Sequence, residues 1–128
     1  MAMSQSPLQR TFDLEERTLS FAKEVSSFLK QIPATISNLE YSKQLIRSSS
    51  SVGANYIEAT NGLGRKDFIM HAKISRKEAV ESRFWLRLID VGQESTEQDR
   101  QKRIVQEALE LIRIFSAIIR NVSEKASN

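Results

Sequence analysis

The chain has 128 residues, a formal net charge of +3 and no cysteine. This length predicts one domain that buries roughly two-thirds of its unfolded surface, and the lack of thiols excludes disulfide frameworks and thiolate metal sites. No secretory signal is visible at the start, and no apolar run approaches the roughly 20 residues that span a bilayer, so we expect a cytoplasmic protein without a membrane partner.

Breaks in the sequence are few, with two prolines and four glycines in the whole chain. Four of the six lie at Pro33, residues 62–64 and Gly92, and these breaks separate four long segments that each show a helical period. We therefore predict an all-α, antiparallel up-down four-helix bundle. The bundle domain should cover residues 12–126 and follow a disordered N-terminal tail of residues 1–11.

The first helix is expected to begin near Asp13, a plausible N-cap, and to end before Pro33. The second should cover residues 36–61 and the third residues 66–91. The fourth follows a polar connection and shows the strongest pattern. Its wide apolar stripe predicts packing on more than one neighbour, either within the bundle or across subunits. The stripe consists of Ile104, Ala108, Leu111, Phe115, Ile118 and Val122.

The second helix carries a line of small residues at spacings of 7, 4 and 7, namely Ser42, Ser49, Gly53 and Thr60. Apolar residues flank this line on both sides, so we predict that another helix approaches closely at Gly53 within a continuous helix. Close packing would offset the weak helix propensity of the serines.

A mixed polar stripe lies on the opposite side of the same helix. Its charges suit a solvated surface and a polar contact between subunits equally well, so the residues alone leave both interpretations open. The candidate interface residues are Glu40, Arg47, Ser51, Asn55 and Glu58.

Two blocks of sequence resemble a known family. The first covers residues 46–59 and includes an Asn-x-x-Glu run at Asn55 and Glu58; the second includes residues 64–68, 77–79, 81–83 and 85–88. Together they resemble the bacterial four helix bundle protein family, also called the 23S rRNA-intervening sequence protein family, over roughly residues 12–122. Many members have a glycine where this chain has Ala59, and a longer linker than residues 62–64. The resemblance implies an up-down bundle, often assembled into a five-fold ring, and no established enzymatic activity. It also favours a subunit contact over a solvated surface for the mixed polar stripe of the second helix.

The third segment carries the whole positive excess, since residues 63–92 contain seven basic and four acidic residues. At 100° per residue all seven fall within one third of the helix circumference, and they extend over roughly 33 Å. Such a strip would hold phosphates through counterion release, although a solvated helix face has a similar composition. Ile69, Val80 and Phe84 also lie in it, which is typical of a contact surface. The basic residues are Arg65, Lys66, Lys73, Arg76, Lys77, Arg83 and Arg87.

Asp67, His71 and Glu78 fall within about 40° of one another on the apolar side of the third helix. They fit either a metal or proton-transfer site, or an inward polar cluster satisfied by Arg47 or serine hydroxyls. One histidine without a second nitrogen or sulfur ligand makes a poor transition-metal site. We therefore predict no metal, no cofactor and no catalytic residue.

These observations favour a non-enzymatic, homo-oligomeric binding or adaptor protein that presents the basic strip to RNA, DNA or a nucleic-acid enzyme. By resemblance the oligomer is a pentamer, and a similar bundle serves as the accessory subunit of retroelement reverse transcriptases. The alternative is a purely structural protein–protein interaction oligomer, and a metal-binding or catalytic bundle ranks third. No small-molecule substrate is expected.

Overall fold

A computed structural model of the protein describes residues 7–127, with side chains described over residues 13–125. This part of the chain forms four α-helices and contains no β-strand. None of these helices is long and apolar enough to cross a membrane. The helices are α1 (Pro7–Leu29), α2 (Ile36–Thr60), α3 (Arg65–Leu88) and α4 (Ser95–Ser127).

The four helices pack in a closed cycle. Each helix packs against the next one along the chain, and α4 returns to α1. Across the centre of the bundle, the ring of Tyr56 on α2 meets the ring of Phe115 on α4 at a centroid distance of 5.9 Å. Because four to six residues connect each helix to the next, consecutive helices that pack along their length must run antiparallel. The prediction of an all-α chain with four helices is confirmed. The α2–α3 pair has the most extensive packing.

The core lies along the axis of this cycle and receives side chains from every helix. The wide stripe of α4 is used inside the bundle, because α4 packs on both α1 and α3. Its inner residues are buried, and its flanking isoleucines pack partly buried against the same core. The core centres on Phe21, Val25, Phe28, Leu45, Val52, Leu86, Ile104, Leu111 and Phe115.

The run of four serines lies in the middle of a continuous α2, as predicted. The Ser50 hydroxyl donates to the Ile46 carbonyl (2.9 Å) and the Ser51 hydroxyl donates to the Arg47 carbonyl (2.8 Å). These bonds satisfy each hydroxyl one helical turn back, so the serines do not need a non-helical backbone.

Gly53 lies at the crossing of α1 and α2. A Cβ atom added at Gly53 would lie 2.8 Å from Oγ1 of Thr18, which is closer than real Cβ contacts come. The predicted close approach of a neighbouring helix at Gly53 is therefore confirmed, and the neighbour is α1.

Small side chains also bring α2 and α3 together. The hydroxyl oxygens of Ser48 and Ser82 lie 2.8 Å apart, and the Ser75 hydroxyl donates to the Val52 carbonyl (2.9 Å). All three serines are fully buried, so these hydrogen bonds fix the rotation of α3 about its own axis. With that face turned inward, the opposite face of α3 points outward.

Two helix ends differ from the sequence-based expectation. Helix α1 begins at Pro7 and not near Asp13, because proline suits the first helical position and no breaker follows it. Residues 7–11 of the predicted tail are therefore helical, and residues 1–6 lie outside the described part.

Helix α3 ends at Leu88, three residues before the predicted end. The next residue, Ile89, adopts an extended conformation (φ −63°, ψ 131°). The buried amide of Asn38 binds both backbone groups of Asp90, accepting from its N–H (3.1 Å) and donating to its carbonyl (2.8 Å). This tertiary contact replaces the helical hydrogen bonds, so the helix stops early.

Candidate nucleic-acid interface

The seven basic residues of α3 lie on the side of the helix that faces away from the core. Arg65, Lys66, Lys73, Lys77 and Arg87 are exposed, and Arg76 and Arg83 are half-buried. The two half-buried arginines lie on the side of α3 next to α4, where a guanidinium nitrogen of Arg76 is 3.5 Å from the Ser116 hydroxyl. The strip predicted from the sequence therefore lies on the outer surface, at the seam between α3 and α4.

Helix α4 adds three cations to this surface. Lys102 and Arg87 line the same open cavity of about 300 Å³ between the two helices. Arg113 and Arg120 follow Lys102 at spacings of 11 and 7, which keeps all three within about 20° on α4, and all three are exposed. We call these three residues and the seven of α3 the basic face.

The sequence-based prediction missed the α4 residues because residues 93–128 contain equal numbers of acidic and basic residues. That balance does not show where around the helix each charge lies. The 11 and 7 spacing of Lys102, Arg113 and Arg120 was the available signal.

Several acidic residues of α1 and α4 are used in ion pairs between these two helices. The guanidinium of Arg17 binds the Glu107 carboxylate at 2.7 Å and the Glu110 carboxylate at 3.0 Å. Hydrogen bonding to Glu107 is the main reason that the pKa of Arg17 is raised above its ordinary value. Arg100 pairs with Glu24 in the same interface (3.3 Å). Glu107 and Glu110 thus face α1, away from the basic face.

The cations of the basic face, by contrast, have no ion-pair partner among the described side chains. The ion pairs of this part of the chain involve Arg17, Lys43, Arg47, His71 and Arg100. An unpaired row of lysine and arginine side chains keeps its full charge available for an external anion.

The five interface candidates on α2 find partners within the chain or remain exposed. Arg47 bridges to α3, where it lies 3.5 Å from the Glu78 carboxylate and 3.2 Å from that of Glu81. Glu40 pairs with Lys43 at 3.3 Å.

The other three candidates are uncharged or unpaired in the described region. The Asn55 amide donates to the Ser51 carbonyl (2.9 Å), and Glu58 is exposed. A contact between subunits through this stripe stays a prediction.

The Asp67, His71 and Glu78 cluster separates into two pairs. His71 Nε2 lies 3.6 Å from the Asp67 carboxylate, whereas the buried Glu78 pairs with Arg47. The interpretation of Glu78 as an inward polar residue satisfied by Arg47 is confirmed. Over residues 13–125, no three histidine, aspartate or glutamate side chains come together in a way that would hold a metal ion.

Comparisons with known proteins place the chain in a family. The sequence model of the family described as 23S rRNA-intervening sequence protein matches residues 10–117. The chain belongs to this family. The resemblance inferred from the two sequence blocks is thereby confirmed.

A solved structure supports the same placement. The chain is similar to a protein of unknown function from the S23 ribosomal protein family of Bacteroides thetaiotaomicron. The identity is 28%, the TM-score is 0.70, and the match covers 83% of this chain and 97% of the other. No curated protein matches the chain.

Seven of the ten exposed large apolar side chains in the described part of this family member fall into two groups. One group interrupts the basic face and consists of Val80, Phe84 and Leu88 on α3, whereas Ile69 of the predicted strip is half-buried. The other group lies on α1 and α2, on the far side from α4, and consists of Leu19, Leu39, Ile46 and Ile57. The molecule therefore presents a cationic surface and a separate, largely apolar one.

Proposed function

We propose that this protein is a non-catalytic, homo-oligomeric binding protein that holds RNA or DNA through the basic face. The observation that carries the proposal is a surface of ten cations, on two adjacent helices, without a described carboxylate partner. Such cations bind phosphates mainly by releasing condensed counterions, and existing ion pairs do not first have to be broken.

The dimensions of the surface favour contact with the nucleic-acid backbone. The α3 row extends over roughly 33 Å of helix axis, which corresponds to about ten base pairs of B-DNA. Lysine and arginine side chains that reach phosphates fix position and carry little sequence information. We therefore expect binding with weak sequence preference. An adaptor role toward a nucleic-acid enzyme would use the same surface.

Assembly is the second part of the proposal. Exposed aliphatic residues on α1 and α2 support a contact between copies, on a side of the bundle that leaves the basic face free. We take the oligomer to be the ring of about five subunits that the family resemblance implies, with heterologous contacts. Several basic faces on one particle would bind a long polyanion with avidity.

A fluorescence-anisotropy titration tests the nucleic-acid part. Mixed-sequence RNA and DNA of about 20 nucleotides, longer than a 4–16-nucleotide site, are titrated between about 50 and 200 mM salt. The variant Lys73→Glu/Lys77→Glu should bind more weakly and lower the salt slope by about 1.4 to 1.8 for two lost contacts.

The matched control is Lys23→Glu/Lys30→Glu, which makes the same charge change at two exposed positions, one in α1 and one directly after its end. It should bind like the wild type. Equal binding by both double variants, or no binding by the wild type near 50 mM salt, would contradict the proposal.

A purely structural oligomer is the second candidate. The exposed side chains of Leu19, Ile46 and Ile57 favour it, because they suit a subunit contact and do not require nucleic acid. An intact oligomer that binds no polyanion at low salt is the result that this candidate predicts.

A further inference from the structure

The basic face contains a large aromatic side chain that the fold does not bury. Phe84 is 54% exposed, although phenylalanine is among the residues most often found in the interior. It lies 7 and 11 residues after Lys77 and Lys73, so the three side chains share one line on the outer side of α3. Arg87 follows one turn later on the same side of the helix.

A ladder of aromatic rings fixes the position of Phe84. Its ring meets the ring of Trp85 at a centroid distance of 5.2 Å and an interplanar angle of 74°. Trp85 in turn stacks on Tyr41 of α2, at 6.1 Å and 28°. The Phe84 ring is thus supported from within the bundle while more than half of its surface remains accessible, and little conformational entropy remains to be lost on binding.

An exposed aromatic ring among unpaired cations is the combination that binds single-stranded nucleic acid. Bases stack on aromatic side chains while lysine and arginine hold the phosphates on either side. A duplex hides the faces of its bases, so it gains nothing from such a ring. We propose that the basic face takes single-stranded RNA or DNA, with a base stacked on Phe84. This inference rests on the function proposed above and adds the form of the nucleic acid.

A second copy of the chain fits this surface less well. Val80 and Leu88 beside Phe84 would suit a protein contact, but the surrounding cations would then need carboxylates from the partner. Seven of the sixteen acidic residues already form ion pairs within the chain, including Glu24, Glu107 and Glu110, and the other nine are fewer than the ten cations of the basic face. The unpaired charge therefore favours a polyanion.

The experiment compares single-stranded and duplex probes of the same sequence and length on the full chain. Wild type should bind the single strand more tightly than the duplex. Phe84→Ala should weaken single-strand binding by about 5- to 150-fold, the range for loss of one stacked base. Its duplex binding should not change. Phe84→Trp should restore single-strand binding, and Phe84→Leu should not.

Two additional measurements separate stacking from other roles. The chain has a single tryptophan, Trp85, whose emission reports events at the adjacent Phe84 ring. The single strand should change this emission in the wild type, and the duplex should not. Light scattering should give the same particle mass for wild type and Phe84→Ala. Ile36→Ala removes another exposed apolar side chain, at the first position of α2, and should leave all readouts unchanged.

Each contrary outcome has a separate meaning. If single strand and duplex bind alike and Phe84→Ala alters neither, the stacking inference is wrong and the proposed function stands. If no probe binds near 50 mM salt, both are wrong. If Phe84→Ala lowers the particle mass together with binding of both probes, Phe84 is a subunit contact and the inference is wrong.

Discussion

Replacing Gly53 with alanine tests the packing of α2 against α1. The structure indicates that this change should lower the free energy of unfolding. The new Cβ would lie 2.8 Å from Oγ1 and 3.2 Å from Cβ of Thr18. Thr18 is only 1% exposed and its hydroxyl donates to the Glu15 carbonyl (2.9 Å), so this side chain has little freedom to move aside. The sequence alone left open a gain in stability if the site had room, and the structure shows that it does not.

Two opposing effects determine the magnitude. Alanine gains about 0.5 to 1 kcal/mol over glycine from its helix propensity. Overpacking a close helix crossing costs about 1 to 3 kcal/mol. We therefore expect Gly53→Ala to lose about 1 kcal/mol of unfolding free energy and the larger Gly53→Leu to lose more, roughly 1 to 3 kcal/mol or above.

Urea unfolding followed by circular dichroism at one fixed protein concentration measures these values, since oligomers unfold in a concentration-dependent way. Ala54 is the next residue of α2 and is exposed, so Ala54→Gly measures the helix-propensity difference between alanine and glycine without a packing effect. Shortening Thr18 to alanine should reduce the cost of Gly53→Ala. A Gly53→Ala protein that gains the full propensity increment, or a Gly53→Leu protein with wild-type stability, would refute the proposed close contact.

Three further substitutions test other parts of the structure. Arg47→Glu should lower the free energy of unfolding in urea by about 1 to 3 kcal/mol, because it leaves the buried Glu78 beside another carboxylate. The control Lys43→Glu changes an exposed residue and should lower it little. Asn38→Ala should cost about 1 to 3 kcal/mol, since it removes the hydrogen bonds that hold Asp90; a neutral result in the same assay would contradict the role of Asn38 in ending α3. Ile46→Glu should reduce the particle mass in light scattering without loss of helicity, and an unchanged mass would exclude the α1–α2 surface as the subunit contact.

Patterns with a helical period were sufficient to predict the four helices and the close crossing at Gly53. Each depends on residue spacing within one segment, which the sequence displays directly. The serine run was also predicted correctly, because the apolar residues on both sides of it continued the period of α2. The end of α3 could not be predicted in this way, since it depends on Asn38, a residue some fifty positions earlier that binds Asp90 across the bundle.

The candidate nucleic-acid interface was also predicted only in part, because part of it depends on contacts between different helices. The strip on α3 follows from the spacing of its cations, and the structure places it on the outer surface. The contribution of α4 depends on which way each of its charges faces, and this is decided by the pairing of Glu107 and Glu110 with Arg17. Counting charges along the chain conceals that pairing. The role of Arg47 as a bridge to Glu78 was considered, but its second partner, Glu81, was not.

The most direct test of the central claim is the salt dependence of nucleic-acid binding by Lys102→Glu/Arg113→Glu. These two residues belong to the basic face only if the surface extends across the seam from α3 to α4. Wild type should bind, and this variant should lower the slope of log affinity against log salt by about 1.4 to 1.8, as Lys73→Glu/Lys77→Glu does on α3. A slope identical to that of the wild type would show that α4 takes no part, and a wild type that does not bind near 50 mM salt would contradict the basic face as a nucleic-acid interface.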